Sequence, residues 1–186
     1  VKEVAIGFRE AQMAALQWMR LAGVTLFAFS LLPAWAQPRV DQSARPGPAL
    51  QIRTLDGGVV EVQRLKGKVV LLDFMTTVCP ACRAASAGLQ GLYQELGPKG
   101  FHPIGVALNV DVPSQLSKYR QAHGLSFPLG VASRTDVVKY LNHPPDKPFL
   151  VPALVLLDKK GTIRLVQVGW KGEEPLRAEI AKLLKQ

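Results

Sequence analysis

The run Val69-Val70-Leu71-Leu72-Asp73-Phe74-Met75 constrains the fold more than any other stretch of the chain. Apolar character on successive residues leaves no face for solvent. The segment therefore predicts a strand buried on both sides, the middle of a sheet with cover above and below. Its one charged residue, Asp73, would be carried into that setting.

Pattern and punctuation arrange the rest of the chain around this strand. Ala49 to Arg53 and Val59 to Gln63 flank Asp56-Gly57-Gly58, a turn signal between two short apolar stretches, and predict a hairpin. Lys66-Gly67-Lys68 makes a further turn. After the buried strand, Pro80 to Leu96 reads as a helix, with Leu89, Leu92, Tyr93 and Leu96 on one face, and Gly97-Pro98 closes it. Phe101 to Asn109 predicts a second central strand, Ser114 to His123 a helix ended by Gly124, and Phe127 to Val131 a short extended piece. Asp136 to Leu141 reads as a brief helix, and Asn142 to Val151 as a proline-dense loop. Ala153 to Leu157 and Thr162 to Val168 form a hairpin about Asp158-Lys159-Lys160-Gly161, and Glu173 to Leu184 is an amphipathic helix. Alternating strands and helices of this kind predict an α/β fold with a mixed central sheet flanked by helices on both faces.

The chain has 186 residues, 48% of them apolar, enough for one ordinary domain. Residues 1–36 are set apart from it. Arg20, the apolar run Leu21 to Leu32, and the small residues of Pro33-Ala34-Trp35-Ala36 match a secretory signal peptide cut after Ala36. The charged prefix before Met19 leaves open a retained anchor, although the apolar run falls short of the roughly 20 residues of a comfortable membrane span. Residues 37–48, rich in Pro, Ala and polar side chains, read as a flexible lead-in, and 49–186 as the folded domain.

The net charge is +9, but the basic residues are scattered and no stacking aromatics alternate with them, so no nucleic-acid partner is expected. Membrane contact is expected only if the N-terminal segment is retained. A monomer is expected.

Two cysteines are present, Cys79 and Cys82, where the buried strand gives way to a helix. Bridging so short a loop removes little entropy from the unfolded chain, which argues against a structural staple. Thiol–disulfide exchange needs one thiolate that attacks and a second thiol close enough to resolve the mixed disulfide. At a helix N-terminus, Cys79 would meet unpaired N–H groups and the positive end of the helix dipole, which favour a thiolate. Cys82 would lie one turn inside. Pro80 suits the first turn, where no N–H is needed. A tetrahedral zinc site lacks further Cys ligands, and His102, His123 and His143 show no ligand spacing. Haem attachment would need His where Arg83 stands. No cofactor is expected.

Leu71-Leu72-Asp73-Phe74 leading into Cys79-Pro80-Ala81-Cys82-Arg83, with Val151-Pro152 ahead of a strand and a Lys-Lys-Gly hairpin, resembles exported thioredoxin-like proteins of the TlpA/ResA type in the AhpC/TSA–Redoxin superfamily. The resemblance implies a thioredoxin fold with an N-terminal β-hairpin extension and a thiol–disulfide oxidoreductase acting on protein thiols or disulfides, serviced by an upstream redox donor or acceptor. It implies Cys79 as nucleophile, Cys82 as resolving cysteine and Asp73 as proton acceptor for Cys82. Pro152 matches a proline that the family holds in the cis form beside the disulfide. Val151, Pro152, Val78 and Pro80 are then the expected lining of the substrate groove. For Asp73 the residues alone leave a second reading, a carboxylate turned to solvent or paired with Lys; burial beside thiols would instead raise its pKa toward neutrality.

The chain departs from its relatives at Val78 and Met75, where aromatics are common, at Arg83-Ala84-Ala85-Ser86-Ala87, where Glu and Pro often stand, and at Ala153, commonly Thr. Thr76-Thr77-Val78-Cys79 also resembles the Thr-x-x-Cys of peroxiredoxins, but Leu72 occupies the position of their proline. A cuprous-ion carrier is a further alternative, since two thiolates suit that soft ion, with Met75 or His143 as the added ligand.

Overall fold

The computed structural model describes residues 44–108 and 113–186. The segment read as a signal peptide, the lead-in up to residue 43 and the expected strand end at Asn109 lie outside the described residues. Strand β4 (Val69–Met75) is buried along its whole length, as its unbroken apolar run requires. It pairs in parallel with β5 (Phe101–Ala107) and antiparallel with β7 (Ala153–Leu157).

The sheet grows outward on either side of that centre. Beyond β7 comes β8 (Thr162–Val168), antiparallel, and beyond β5 comes β6 (Leu129–Val131), parallel. The predicted hairpin, β2 (Gln51–Thr54) with β3 (Val59–Glu61), adds to β6 through β2 and brings the extension into the main sheet. Gly130 permits this junction, because a Cβ there would lie 2.5 Å from the Arg53 carbonyl oxygen. With a short edge strand β1 (Arg45–Pro46), the order is β1-β8-β7-β4-β5-β6-β2-β3.

Strand β1 (Arg45–Pro46) corrects the expected lead-in. Its two residues pair with Ile163 and Thr162, and Gly47 N–H donates to the Gly161 carbonyl at 3.0 Å. The composition suggested a loose segment, but an edge strand tolerates proline because one side of its ladder is unpaired.

Among the described residues four α-helices cover the sheet: α1 (Pro80–Leu96), α2 (Pro113–Ala122), α3 (Arg134–Leu141) and α4 (Glu173–Leu184). Side chains of α1, α2 and α4 pack in one buried layer with Leu71, Met75, Leu154 and Leu156. Helix α3 and the N-terminal hairpin pack in the other, with Leu72, Phe74, Ile104 and Val155. Alternation along β4 and β7 feeds both layers, since successive strand residues point to opposite faces. Among the described residues no helix is long and apolar enough to cross a membrane.

Candidate active site

Strand β4 ends at Met75, whose carbonyl accepts the Leu108 N–H at 3.0 Å and so ties the site to β5. The chain then turns through residues 76–78 and starts α1 at Pro80, with Cys79 as its N-cap in an extended conformation (φ −83°, ψ 121°). Proline at the first helical position costs no hydrogen bond and has its φ already set for the helix. A cap side chain normally offers an oxygen to the first free N–H groups. Here the Cys79 sulfur takes that place, accepting the Cys82 N–H at 3.2 Å. The first-turn donor is thereby aimed at the Cys79 sulfur, where it favours negative charge.

The two thiols, both free, differ in access. Cys79 is half-buried, whereas Cys82 is fully buried. Burial, the hydrogen bond with Cys79 and the nearby Cys79 and Asp73 charges push the Cys82 thiol up to about 12, with a backbone hydrogen bond from Thr76 opposing them. Cys82 therefore keeps its proton near neutrality.

Asp73 lies close enough for its charge to act on Cys82. It is fully buried, and on a strand whose odd-numbered residues Leu71 and Met75 join the Cys82 layer it faces the same way. Neither carboxyl oxygen has a hydrogen-bond partner. Burial alone pushes the carboxyl from 3.8 to about 7. The solvent-facing or lysine-paired alternative is thus excluded by the packing.

Across from Cys79 lies the loop before β7. The Val151–Pro152 peptide bond is cis, and the Val151 carbonyl accepts the Cys79 thiol at 3.8 Å. The Pro152 carbonyl is taken by the Gly169 N–H at 2.8 Å, which fastens this loop to the end of β8. Pro152 itself is buried and Val151 half-buried, while Pro80 is exposed. Val78 is 76% exposed beside Cys79, and Leu150 and Val168 are 60% and 50% exposed. The last two also line an apolar notch of about 150 Å³ with Leu141, Phe149 and Val166. Sequence reading named Val78 but missed Leu150 and Val168; their signal is an apolar side chain flanking the Val-Pro pair and ending the last strand.

Of the other residues considered for metal, His143 has its own partners and Met75 packs in the core. His143 Nε2 hydrogen-bonds with the Lys147 carbonyl at 3.1 Å and its ring meets Phe149, while Met75 is fully buried in the Cys82 layer. Among the described residues no cluster of three or more His, Cys, Asp or Glu could hold a metal ion.

A mixed sheet with this helix cover, two free thiols at the head of α1 and a cis-proline loop beside them define a thioredoxin-fold dithiol protein. The chain belongs to the AhpC/TSA family, whose sequence profile matches residues 44–166. It is similar to the thiol-disulfide oxidoreductase ResA of Halalkalibacterium halodurans, with 28% identity over 174 residues, 90% of this chain and 94% of that one. The thioredoxin-like protein YneN of Bacillus subtilis is 25% identical over 164 residues, covering 84% and 89%. The crystal structure of a secreted thiol-disulfide isomerase from Corynebacterium glutamicum superposes with a TM-score of 0.70 at 18% identity, over 78% of this chain and 89% of that one. A thiol:disulfide interchange protein from Chlorobium tepidum gives 0.66 at 22%, over 80% and 99%. At these identities the solved structures speak to the fold.

Proposed function

We propose that the chain is an exported thiol–disulfide oxidoreductase that exchanges the Cys79–Cys82 dithiol or disulfide with protein substrates. The observation that carries this reading is the N-cap sulfur of Cys79, 3.2 Å from the Cys82 N–H, with the unpartnered Asp73 carboxyl buried in the Cys82 layer. Export rests on the signal-like run Leu21 to Ala36.

In the reducing direction the Cys79 thiolate attacks one sulfur of a substrate disulfide. A Cys79–substrate bond forms, the substrate S–S bond breaks, and the leaving thiolate takes a proton from solvent. Cys82 then passes its proton to the Asp73 carboxylate and attacks the Cys79 sulfur, expelling the second substrate thiolate. Two electrons have moved to the substrate and a Cys79–Cys82 disulfide remains, to be reduced by an upstream dithiol. The opposite direction retraces these steps. Val78, Pro80, Val151 and Pro152 frame the approach to Cys79, and exposed Leu150 and Val168 extend it as an apolar rim suited to an unfolded or extended polypeptide.

Cys79→Ser should abolish exchange with a model protein disulfide, while Cys82→Ala should accumulate a mixed disulfide through Cys79, visible by non-reducing electrophoresis and mass spectrometry. Undiminished exchange by Cys79→Ser would sink the reading.

A further inference from the structure

Buried polar side chains among the described residues are Asp73, Ser86, Asp158 and Gln167. Two of these are satisfied close by: Asp158 Oδ1 accepts the N–H groups of Lys160 and Thr162, and Gln167 Nε2 donates to the Gly169 carbonyl. Asp73 and Ser86 are different.

Ser86 lies four residues beyond Cys82 in α1, hence one turn along the same helix face. Its hydroxyl shares a hydrogen bond of 3.0 Å with the phenol of Tyr119 on α2. Tyr119 is 5% exposed and belongs to the layer that holds Cys82. Two hydroxyls carry two protons and their mutual bond uses one, so the pair keeps one proton to donate. Both Asp73 oxygens lack a donor.

The electrical environment ties the two features together. Burial raises the proton affinity of the Tyr119 phenol, the Ser86 hydrogen bond lowers it, and the charges of Asp73, Cys82 and Cys79 raise it further. Those charges reach the phenol because the groups share its buried layer. The titratable groups facing Asp73 are thus Cys79 and Cys82 from α1 and Tyr119 from α2. Elsewhere β5 places Gly105 beside Asp73, β7 places Leu154 there, and α4 contributes Leu176, Ile180 and Leu183. When the proton moves from Cys82 to Asp73, one negative charge stays in this apolar layer, first on oxygen and then on sulfur. No cation pairs with the Asp73 oxygens.

The geometry points to Ser86 and Tyr119 as positioning residues for the resolving cysteine, a hydroxyl pair whose dipole stabilises the single negative charge shared by Asp73 and Cys82. This rests on the exchange reading above. The pair acts through Asp73 and Cys82 and touches no substrate.

The test is a ¹³C NMR titration of the Asp73 carboxyl in the reduced full chain, for wild type, Tyr119→Phe, Ser86→Ala and the double variant. Loss of either hydroxyl should move the midpoint up by about 0.5–1 pH unit, and the double variant should move it no further, because the pair acts as a unit. 3-Fluorotyrosine placed at position 119 covers the case in which a variant fails to fold. It keeps the hydroxyl, makes it a stronger donor and should move the midpoint down. Unmoved midpoints in folded proteins overturn the inference and leave the pair as a tie between α1 and α2. An exchange assay on the wild type runs beside the titration: no exchange there overturns the functional reading, whatever the midpoints do.

Discussion

Alternate residues of β4 serve two buried layers that differ in chemistry. Leu72 and Phe74 pack with Ile104, Val155 and Tyr140, and Leu71, Asp73 and Met75 face the layer of Cys82, Leu89, Tyr119 and Leu154. Each layer contains an oxygen without a hydrogen-bond partner, the Tyr140 hydroxyl in one and the Asp73 carboxyl in the other. Burial pushes the Tyr140 phenol up, against a smaller opposing effect of Arg45, so it stays neutral at any ordinary pH. The same effect brings Asp73 to about 7, where its charge changes under physiological conditions. Desolvation thus keeps one group neutral and lets the other change charge near neutrality, because their starting values lie on opposite sides of it. The layer of Phe74 and Tyr140 supports the sheet, and the other gives up some stability for a group that titrates near neutrality.

The sharpest way to break this contrast is Phe74→Ala in the first layer. The fully buried ring packs against Tyr140 with centroids 6.0 Å apart, and its loss should cost about 3–5 kcal/mol in urea unfolding, at every pH. A cost that varied with pH would mean that the two layers are not separable.

Asp73→Asn should instead have an effect that depends on pH. A carboxyl with its folded pKa raised from 3.8 to about 7 loses stability for the fold as pH climbs through that window, because the unfolded chain ionises first. The asparagine variant lacks this loss. Relative to wild type it should be indifferent near pH 4 and gain stability up to pH 7, approaching on the order of 4 kcal/mol at pH 8. Its resolving step should slow near neutrality. A flat difference between pH 4 and 8 would show that Asp73 is not the titrating group.

Gly105→Ala should have the smallest effect. Gly105 pairs with Asp73 across β4 and β5, and a Cβ there would stand 2.5 Å from Leu129 Cδ2. Overpacking of this kind costs about 1–3 kcal/mol, and the displaced side chains lie in the titratable layer. Thermal unfolding should register the loss, with a shift in the Asp73 titration alongside it; a stability loss with no such shift would confine the strain to Leu129.

Much of the fold was legible where one local pattern dominated. The limits of β4, α1, β7, β8 and α4 agree with the sequence reading residue for residue, since buried strands and amphipathic helices carry their own periodicity. β1 was illegible because its partner residues, Ile163 and Thr162, lie far along the chain. Helix α3 starts two residues before the predicted Asp136, where Ser133 caps it by accepting the Asp136 N–H at 3.0 Å. Cys79 and Cys82 were readable from spacing, and Val151-Pro152 from resemblance. Ser86 was hidden in an alanine-rich stretch; its place one turn after Cys82 was the available signal.

By itself the sequence determined the local events: a strand that must be buried, a helix that must begin near Pro80, and two thiols three positions apart at their junction. These follow from side-chain periodicity and backbone geometry over a few residues. Tertiary structure alone decided which groups those thiols meet. It set the Val151 carbonyl against Cys79 across 72 residues of chain, left Asp73 without a donor, and joined Ser86 to Tyr119. Proton affinity depends on desolvation and on charges reached through space, and a one-dimensional pattern encodes neither.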